Sequence, residues 1–189
     1  MPNYILAATL PLDGFRHDFN GLSIFEVTGR SIVSIATPLG GEPNLNKILA
    51  KTYKTNLPKV GQSLMSSLDN AVFMGMAQDQ FLVLFDHCDD KPLEVVSKHL
   101  NDSAYLTDQS DSYVMLRVSG LNSRLVLERI CPIDLAPTAF PEGSVARTIM
   151  EHLGAVIVHE KKDTFLLMSA RSSAKSFLEA VETSAVNVC

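Results

Sequence analysis

The sequence predicts an α+β protein made of two similar two-layer α/β sandwich subdomains with mostly antiparallel sheets. Three observations carry that prediction. Short apolar runs with strand character alternate with a few amphipathic helical segments. The order of these elements is written twice along the chain. Matching landmarks, Gly61 with Gly143, Phe81 with Phe165 and Leu93 with Ala174, are offset by about 80 residues, longer than the repeat of a solenoid array. The pattern is two copies of a βαβββα unit. The predicted divisions are an N-terminal arm over 1–21, a first subdomain over 22–104 and a second over 105–189.

In the first copy a strand region runs over Leu22–Ala36, with Gly29-Arg30 read as a hairpin turn. Pro38, Gly40, Gly41 and Pro43 break the chain, and Asn44 is the expected N-cap of a helix that buries Leu45, Ile48, Leu49 and Tyr53. A meander follows through Leu64–Leu68, AVFMGMA and FLVLF, turning at Asp69-Asn70 and Gln78-Asp79-Gln80. Asp90 and Pro92 open the next helix, with Leu93, Val96 and Leu100 expected inside. The polar stretch Asn101–Ser112 reads as a connection.

The second copy opens with the strand VMLRV, broken by Gly120. Asn122 or Ser123 then caps a helix carrying Val126, Leu127, Ile130 and Cys131, and Pro132 stops it. A second meander contains GAVIVHEK and FLLMSA, and Ser172 or Ser173 caps a last helix with Ala174, Phe177, Leu178 and Val181 inside. The segment SVARTIMEHLG has the apolar spacing of a helix, Val145, Ile149 and Leu153. Its counterpart QSLMSSLDN is too short and polar for one, so the repeat argues for a strand.

Composition excludes several classes. With 46% apolar and 20% charged residues the chain can build a core. A net charge of −5, with basic residues scattered, argues against a nucleic-acid partner. Three widely spaced cysteines, Cys88, Cys131 and Cys189, are not a disulfide framework. The N-terminal run MPNYILAATLPLDGF lacks the basic start of a signal peptide, and no apolar stretch approaches the ~20 residues that span a bilayer. The expectation is a soluble, cytoplasmic protein with no membrane partner.

No catalytic constellation is expected. There is no glycine-rich dinucleotide turn, no phosphate loop and no Gly-x-Ser-x-Gly elbow. His17, His87, His99, His152 and His159 lie without paired spacing and read as ordinary surface or half-buried histidines. His87 and Cys88 with Asp86, Asp89 and Asp90 form the most metal-like run. Four tetrahedral ligands from one contiguous stretch are hard to arrange, so an acidic solvated turn is the reading and no metal site is assigned. Cys131 lies at a helix C-terminus before Pro132 and reads as a packed, inert cysteine.

The segment Val114–Val181 resembles the gamma subunit of heterotetrameric sarcosine oxidases, a bacterial family. The resemblance is carried by Ser119-Gly120, Cys131-Pro132-Ile133-Asp134-Leu135, Pro137, Phe140, Gly143 and Ala146-Arg147-Thr148. Asp163-Thr164-Phe165 and Arg171-Ser172 add to it, and the first copy contributes a fainter match at Gly75–Leu82. Ala136 stands where the family often has His, and Val158 near where it has Trp.

This resemblance implies a fold similar to the folate-binding portion of the glycine-cleavage T-protein. It also implies a non-catalytic role in an assembly with alpha, beta and delta subunits that oxidatively demethylates sarcosine. That reaction gives glycine, hydrogen peroxide and formaldehyde or methylene-tetrahydrofolate. FAD, FMN, NAD and tetrahydrofolate are expected on the other subunits and none in this chain. A stand-alone folate-binding T-protein-like protein, or an interaction module of another complex, are the alternatives. The former class carries a Lys-Gly-Cys-aromatic-x-Gly-Gln-Glu segment, which Ile130-Cys131-Pro132 replaces. A partner interface is expected at Cys131, Pro132, Asp134, Leu135, Pro137 and Phe140, because a proline-rich, irregular, apolar stretch is hard to bury within its own chain. The arm up to Gly21 is either a second docking segment or a frayed tail.

Overall fold

Strands and helices follow one another in the twice-written order. The computed structural model describes residues 9–87 and 91–189. In chain order these contain β1 (Arg16–Phe19), β2 (Leu22–Glu26), β3 (Arg30–Ala36), α1 (Glu42–Thr52), β4 (Ser63–Met65), β5 (Val72–Ala77), β6 (Gln80–Asp86) and α2 (Pro92–Leu100). They continue with β7 (Tyr105–Asp108), β8 (Tyr113–Ser119), α3 (Ser123–Glu128), β9 (Val145–Met150), β10 (Leu153–Lys161), β11 (Thr164–Ala170) and α4 (Ala174–Val186). The strands form a five-stranded sheet, β4-β5-β6-β3-β7, and a six-stranded sheet, β1-β2-β8-β11-β10-β9. Every named strand pair is antiparallel.

The layers follow from burial. Leu45, Leu49 and Tyr53 of the α1 region and Val96 and Leu100 of α2 pack on Val33, Ile35, Phe73, Phe81, Val83 and Phe85 of the five-stranded sheet. Val126 and Leu127 of α3 and Phe177 and Val181 of α4 pack on Leu116, Val118, Ile157, Phe165 and Leu167 of the six-stranded sheet. The opposite faces of the sheets meet through Ile32, Met74, Leu82 and Leu84 against Met115, Val156, Val158, Leu166 and Met168. Two α/β sandwiches therefore stand sheet to sheet. A strand covered on both faces has no reason to alternate. This is why β6 and β11 are continuous apolar runs, buried from Phe81 to Phe85 and from Thr164 to Ser169.

The repeat is exact enough to show in single hydrogen bonds. Phe81 and Phe165 are each the second residue of the third meander strand. Thr37 N donates to Asp79 O and Gly120 N to Asp163 O, both at 2.9 Å, at matching strand ends. Where the copies meet, Ser63 N donates to Gly143 O at 2.6 Å and Val145 N to Gly61 O at 2.9 Å. Gly61 and Gly143 hold φ of 80° and 84°, a backbone region that favours glycine. The two contacts are reciprocal, as across a two-fold axis.

Several expectations are corrected. Gly29-Arg30 is not a hairpin: β2 pairs with β1 and β8, whereas β3 pairs with β6 and β7. The chain crosses there from one sheet to the other. The polar connection over 101–112 contains β7, which pairs with β3, and the chain crosses back to the other sheet between β7 and β8. Each copy thus receives its fifth strand from the residues preceding the other copy, and the expected boundaries at 21/22 and 104/105 do not fall between the sheets. Residues 16–26 belong with the second copy and 105–108 with the first.

Smaller differences have local causes. α1 begins at Glu42 with Gly41 as N-cap, because Pro43 fits a helical first turn and no Asn44 cap is needed. Leu93 is half-exposed, since the buried face of α2 runs through Pro92, Val96 and Leu100 at four-residue spacing. α3 stops at Glu128, although Ile130 and Cys131 beyond it are buried. SVARTIMEHLG is strand, as the repeat argued, turning at Glu151 with φ of 54°.

Candidate functional site

The stretch after α3 is irregular yet tightly held. Cys131 N donates to Leu127 O at 2.9 Å, and Asp134 Oδ1 accepts from Ala136 N at 2.9 Å. Phe140 N then donates to Ala136 O at 2.8 Å, closing a turn. These bonds replace the ladder a regular element would supply and let an irregular segment go inside. Cys131, Leu135 and Phe140 are buried in the core between α3, α4 and the six-stranded sheet. The expectation that this stretch presents its apolar side chains outward is corrected. Pro132, Asp134 and Pro137 are the exposed members of the predicted set.

The histidines lie apart. His17 of β1 is exposed, its Nδ1 3.0 Å from Glu182 Oε1 and its ring stacked on Phe19 at 4.0 Å. His99 meets Tyr53 edge-on at 5.3 Å, and His152 occupies the β9–β10 turn. His159 is buried between Phe165, stacked at 4.6 Å, and Phe140 at 6.4 Å. Its Nδ1 lies 2.8 Å from Phe140 O. A carbonyl can only accept, so Nδ1 donates, and the buried Nε2 has no hydrogen-bond partner among the described residues. No motif around His159 points to this role. Of the metal-like run, Cys88, Asp89 and Asp90 lie outside the described residues. Among the described residues no group of three His, Cys, Asp or Glu side chains could hold a metal ion.

The buried charged groups are committed to structure. Glu26, only 7% exposed, accepts from Leu12 N at 3.1 Å and Gly14 N at 2.7 Å, fastening the turn before β1. Arg117 of β8 binds Glu160 of β10 through two hydrogen bonds at 2.6 and 2.9 Å. Arg30 donates to Asn70 O at 2.6 Å and Leu84 O at 3.2 Å, and its Nε lies 3.0 Å from Asp86 Oδ1 as a charge contact rather than an aligned hydrogen bond. Burial pulls the Arg30 guanidinium below its usual pKa, and the Asp86 charge opposes that shift. Both arginines lie on the sheet-to-sheet face, and neither meets a nucleophile. A cavity of about 420 Å³ opens where the two crossovers pass, lined by Glu26, Arg30, His87, Tyr113 and Arg171. Its carboxylate, Glu26, is already engaged by the two backbone amides of Leu12 and Gly14.

The comparisons with known proteins agree with this architecture. A family model for the sarcosine oxidase, gamma subunit family matches residues 42–186. The chain belongs to that family. Sarcosine oxidase subunit gamma of Corynebacterium sp. (strain P-1) is 23% identical over 124 residues, 66% of this chain. That match spans 61% of the relative's length. The heterotetrameric sarcosine oxidase from Corynebacterium sp. U-96 contains a chain that superposes with a TM-score of 0.76 at 17% identity, covering 88% of this chain and 85% of that one. Glycine cleavage system aminomethyltransferase T from Bartonella henselae superposes with a TM-score of 0.68 at 14% identity, over 92% of this chain and 56% of that one. The fold is therefore T-protein-like, with two sandwiches. In this gamma-family chain the segment Cys131–Leu135 is the inward-turning cover of the second sandwich. Among the described residues no helix is long and apolar enough to cross a membrane.

Proposed function

We propose that this chain is the non-catalytic gamma subunit of a heterotetrameric sarcosine oxidase, assembling with alpha, beta and delta subunits in the cytoplasm. The complex oxidatively demethylates sarcosine to glycine with oxygen as the oxidant, which is reduced to hydrogen peroxide, and the methyl carbon leaves as formaldehyde, or as methylene-tetrahydrofolate when the folate is present. FAD, FMN, NAD and tetrahydrofolate reside on the other subunits. The observation that carries this reading is the family match over 42–186 together with a likeness that runs nearly end to end with a chain of the Corynebacterium heterotetramer.

The commitment of polar groups supports a structural role. Glu26 and Arg117 are engaged by backbone amides or a fixed counter-charge, and His159 is stacked in the core. General acid–base catalysis needs such groups free to meet a substrate proton. Pro132, Asp134 and Pro137 form the outward part of the expected partner contact, held rigid by the buried Cys131, Leu135 and Phe140.

Co-purification tests the reading. Tagged chain expressed with the three candidate subunits should elute with them in constant ratio, the flavin absorbance travelling with the complex. Stripped of them, the chain should be colourless and inert on sarcosine. A flavin retained by the lone chain through gel filtration, with sarcosine turnover, contradicts the proposal.

A further inference from the structure

The internal two-fold makes β7 and β2 equivalent: each is the strand donated to the other copy, lying beside β3 and β8 respectively. Their outer sides differ. β2 is covered by β1 over the register Arg16↔Phe25 to Phe19↔Leu22. β7 has no strand beyond it among the described residues, and the five-stranded sheet ends there.

The backbone of β7 is placed to continue the sheet. Gln109 N donates to Ile32 O at 2.8 Å, in line with the register Asp108↔Val33 to Tyr105↔Ala36. Hydrogen-bonded pairs alternate along an antiparallel ladder. Thr107 and Tyr105 therefore direct their backbone groups at β3, and Leu106 and Asp108 direct theirs at the open edge. Tyr105 is 70% exposed, and Thr107 and Asp108 are exposed as well.

Proteins usually blunt such an edge with lysine, proline or a bulge. The strand Tyr-Leu-Thr-Asp has none of these. From Lys98 to Arg117 the chain holds no intervening Lys or Arg, while Asp102 and Asp108 fall within that span and Asp111 is paired with Arg171 at 3.6 Å.

We propose that the outer edge of β7 is a docking edge for an extended, Lys/Arg-bearing segment of a partner subunit, added antiparallel to β7 as β1 is to β2. Main-chain hydrogen bonds to Leu106 and Asp108 supply the pairing, the strand-addition mode of recognition. The aspartates select a basic segment. A second copy of this chain is the poorer occupant, because β7 against β7 sets Asp102 and Asp108 near their own like charges. The inference rests on the subunit role proposed above and names a surface through which it acts.

Hydrogen exchange on the isolated chain and on the assembled oxidase tests it. In the complex the amides of Leu106 and Asp108 should exchange at least tenfold more slowly than in the free chain. The double variant Asp102→Asn/Asp108→Asn keeps an oxygen at position 108 for Ser110 N, the bond Asp108 Oδ1 accepts at 2.9 Å. It should leave the thermal midpoint of the free chain unchanged and weaken assembly by about tenfold, an effect that shrinks as salt rises. Unchanged exchange at Leu106 and Asp108 in a fully assembled complex overturns the docking edge while leaving the subunit role standing. Protection that appears in the free chain with rising concentration overturns the choice of occupant. Failure to assemble with any of the other subunits overturns both.

Discussion

Leu135 and Phe140 show what a single side chain contributes to an irregular segment. Both are buried against helices and sheet, so truncation opens a hole that surrounding atoms fill only in part. Phe140→Ala should lower stability by about 3–5 kcal/mol in denaturant unfolding, and Leu135→Asp should prevent accumulation of folded protein. Pro137→Glu, at an exposed position, should change stability by no more than about 0.5 kcal/mol and weaken co-purification with the partner subunits. Equal losses of stability in Pro137→Glu and Phe140→Ala would make the whole segment core. The sequence marked these residues by their pattern but misread their direction, because a proline-rich stretch gives no periodicity from which inside and outside can be told. Tyr53 supplies a pH test. Burial, reinforced by the charge of Asp69, pushes its phenol up from 10.0 to about 12. In the unfolded chain the phenol ionises near 10, so stability is intact below that pH and falls as pH rises towards about 12. Tyr53→Phe should move the alkaline unfolding midpoint, followed by circular dichroism, to higher pH; an unmoved midpoint removes Tyr53 as the cause.

At the scale of elements, the strongly periodic segments were legible and the exchanged ones were not. β5, β6, β10, β11, α1, α2 and α4 follow from apolar runs and Gly or Pro punctuation. β9 was reached only through the repeat, since the local spacing of Val145, Ile149 and Leu153 favours a helix. β7 is not legible in the sequence, because its residues, Tyr-Leu-Thr-Asp, bury little and read as polar connection. The crossing at Gly29 was missed because a glycine turn looks the same whether the next strand returns to its neighbour or leaves for another sheet. Gly75 and Gly154 give a paired test of strand packing. A Cβ on Gly75 would overlap the Lys59 carbonyl, whereas one on Gly154 meets nothing within 4 Å. Gly75→Ala should cost about 2 kcal/mol or more. Gly154→Ala should be neutral or stabilising by about 0.5–1 kcal/mol, as expected for relief of a strand glycine. Chemical denaturation measures both, and equal effects would contradict the close approach at Gly75.

For the whole molecule, strand exchange makes one folding unit of two repeats. The five-stranded sheet needs β7 from beyond residue 104, and the six-stranded sheet needs β1 and β2 from before β3. Calorimetry should show a single transition with equal calorimetric and van't Hoff enthalpies. Fragments 22–104 and 105–189 should fail to fold separately, and two resolved transitions would contradict the exchange. The duplicated order and the fold class were readable from the chain because both copies bury the same face pattern. The exchange was not, because which sheet receives a strand is decided by contacts far apart in sequence. The candidate site was the least legible part: His159, Glu26 and the Arg117–Glu160 pair owe their roles to neighbours across strands, and no motif announces them.

The chain is proposed to serve an oxidase by assembly and not by chemistry of its own. Hydrogen peroxide release from sarcosine, measured on the co-expressed alpha, beta and delta subunits with and without this chain, tests that most directly. Active complex should accumulate only when the chain is present, and the chain by itself should release none. Full activity of the three subunits without it, or peroxide produced by the chain alone, would contradict it.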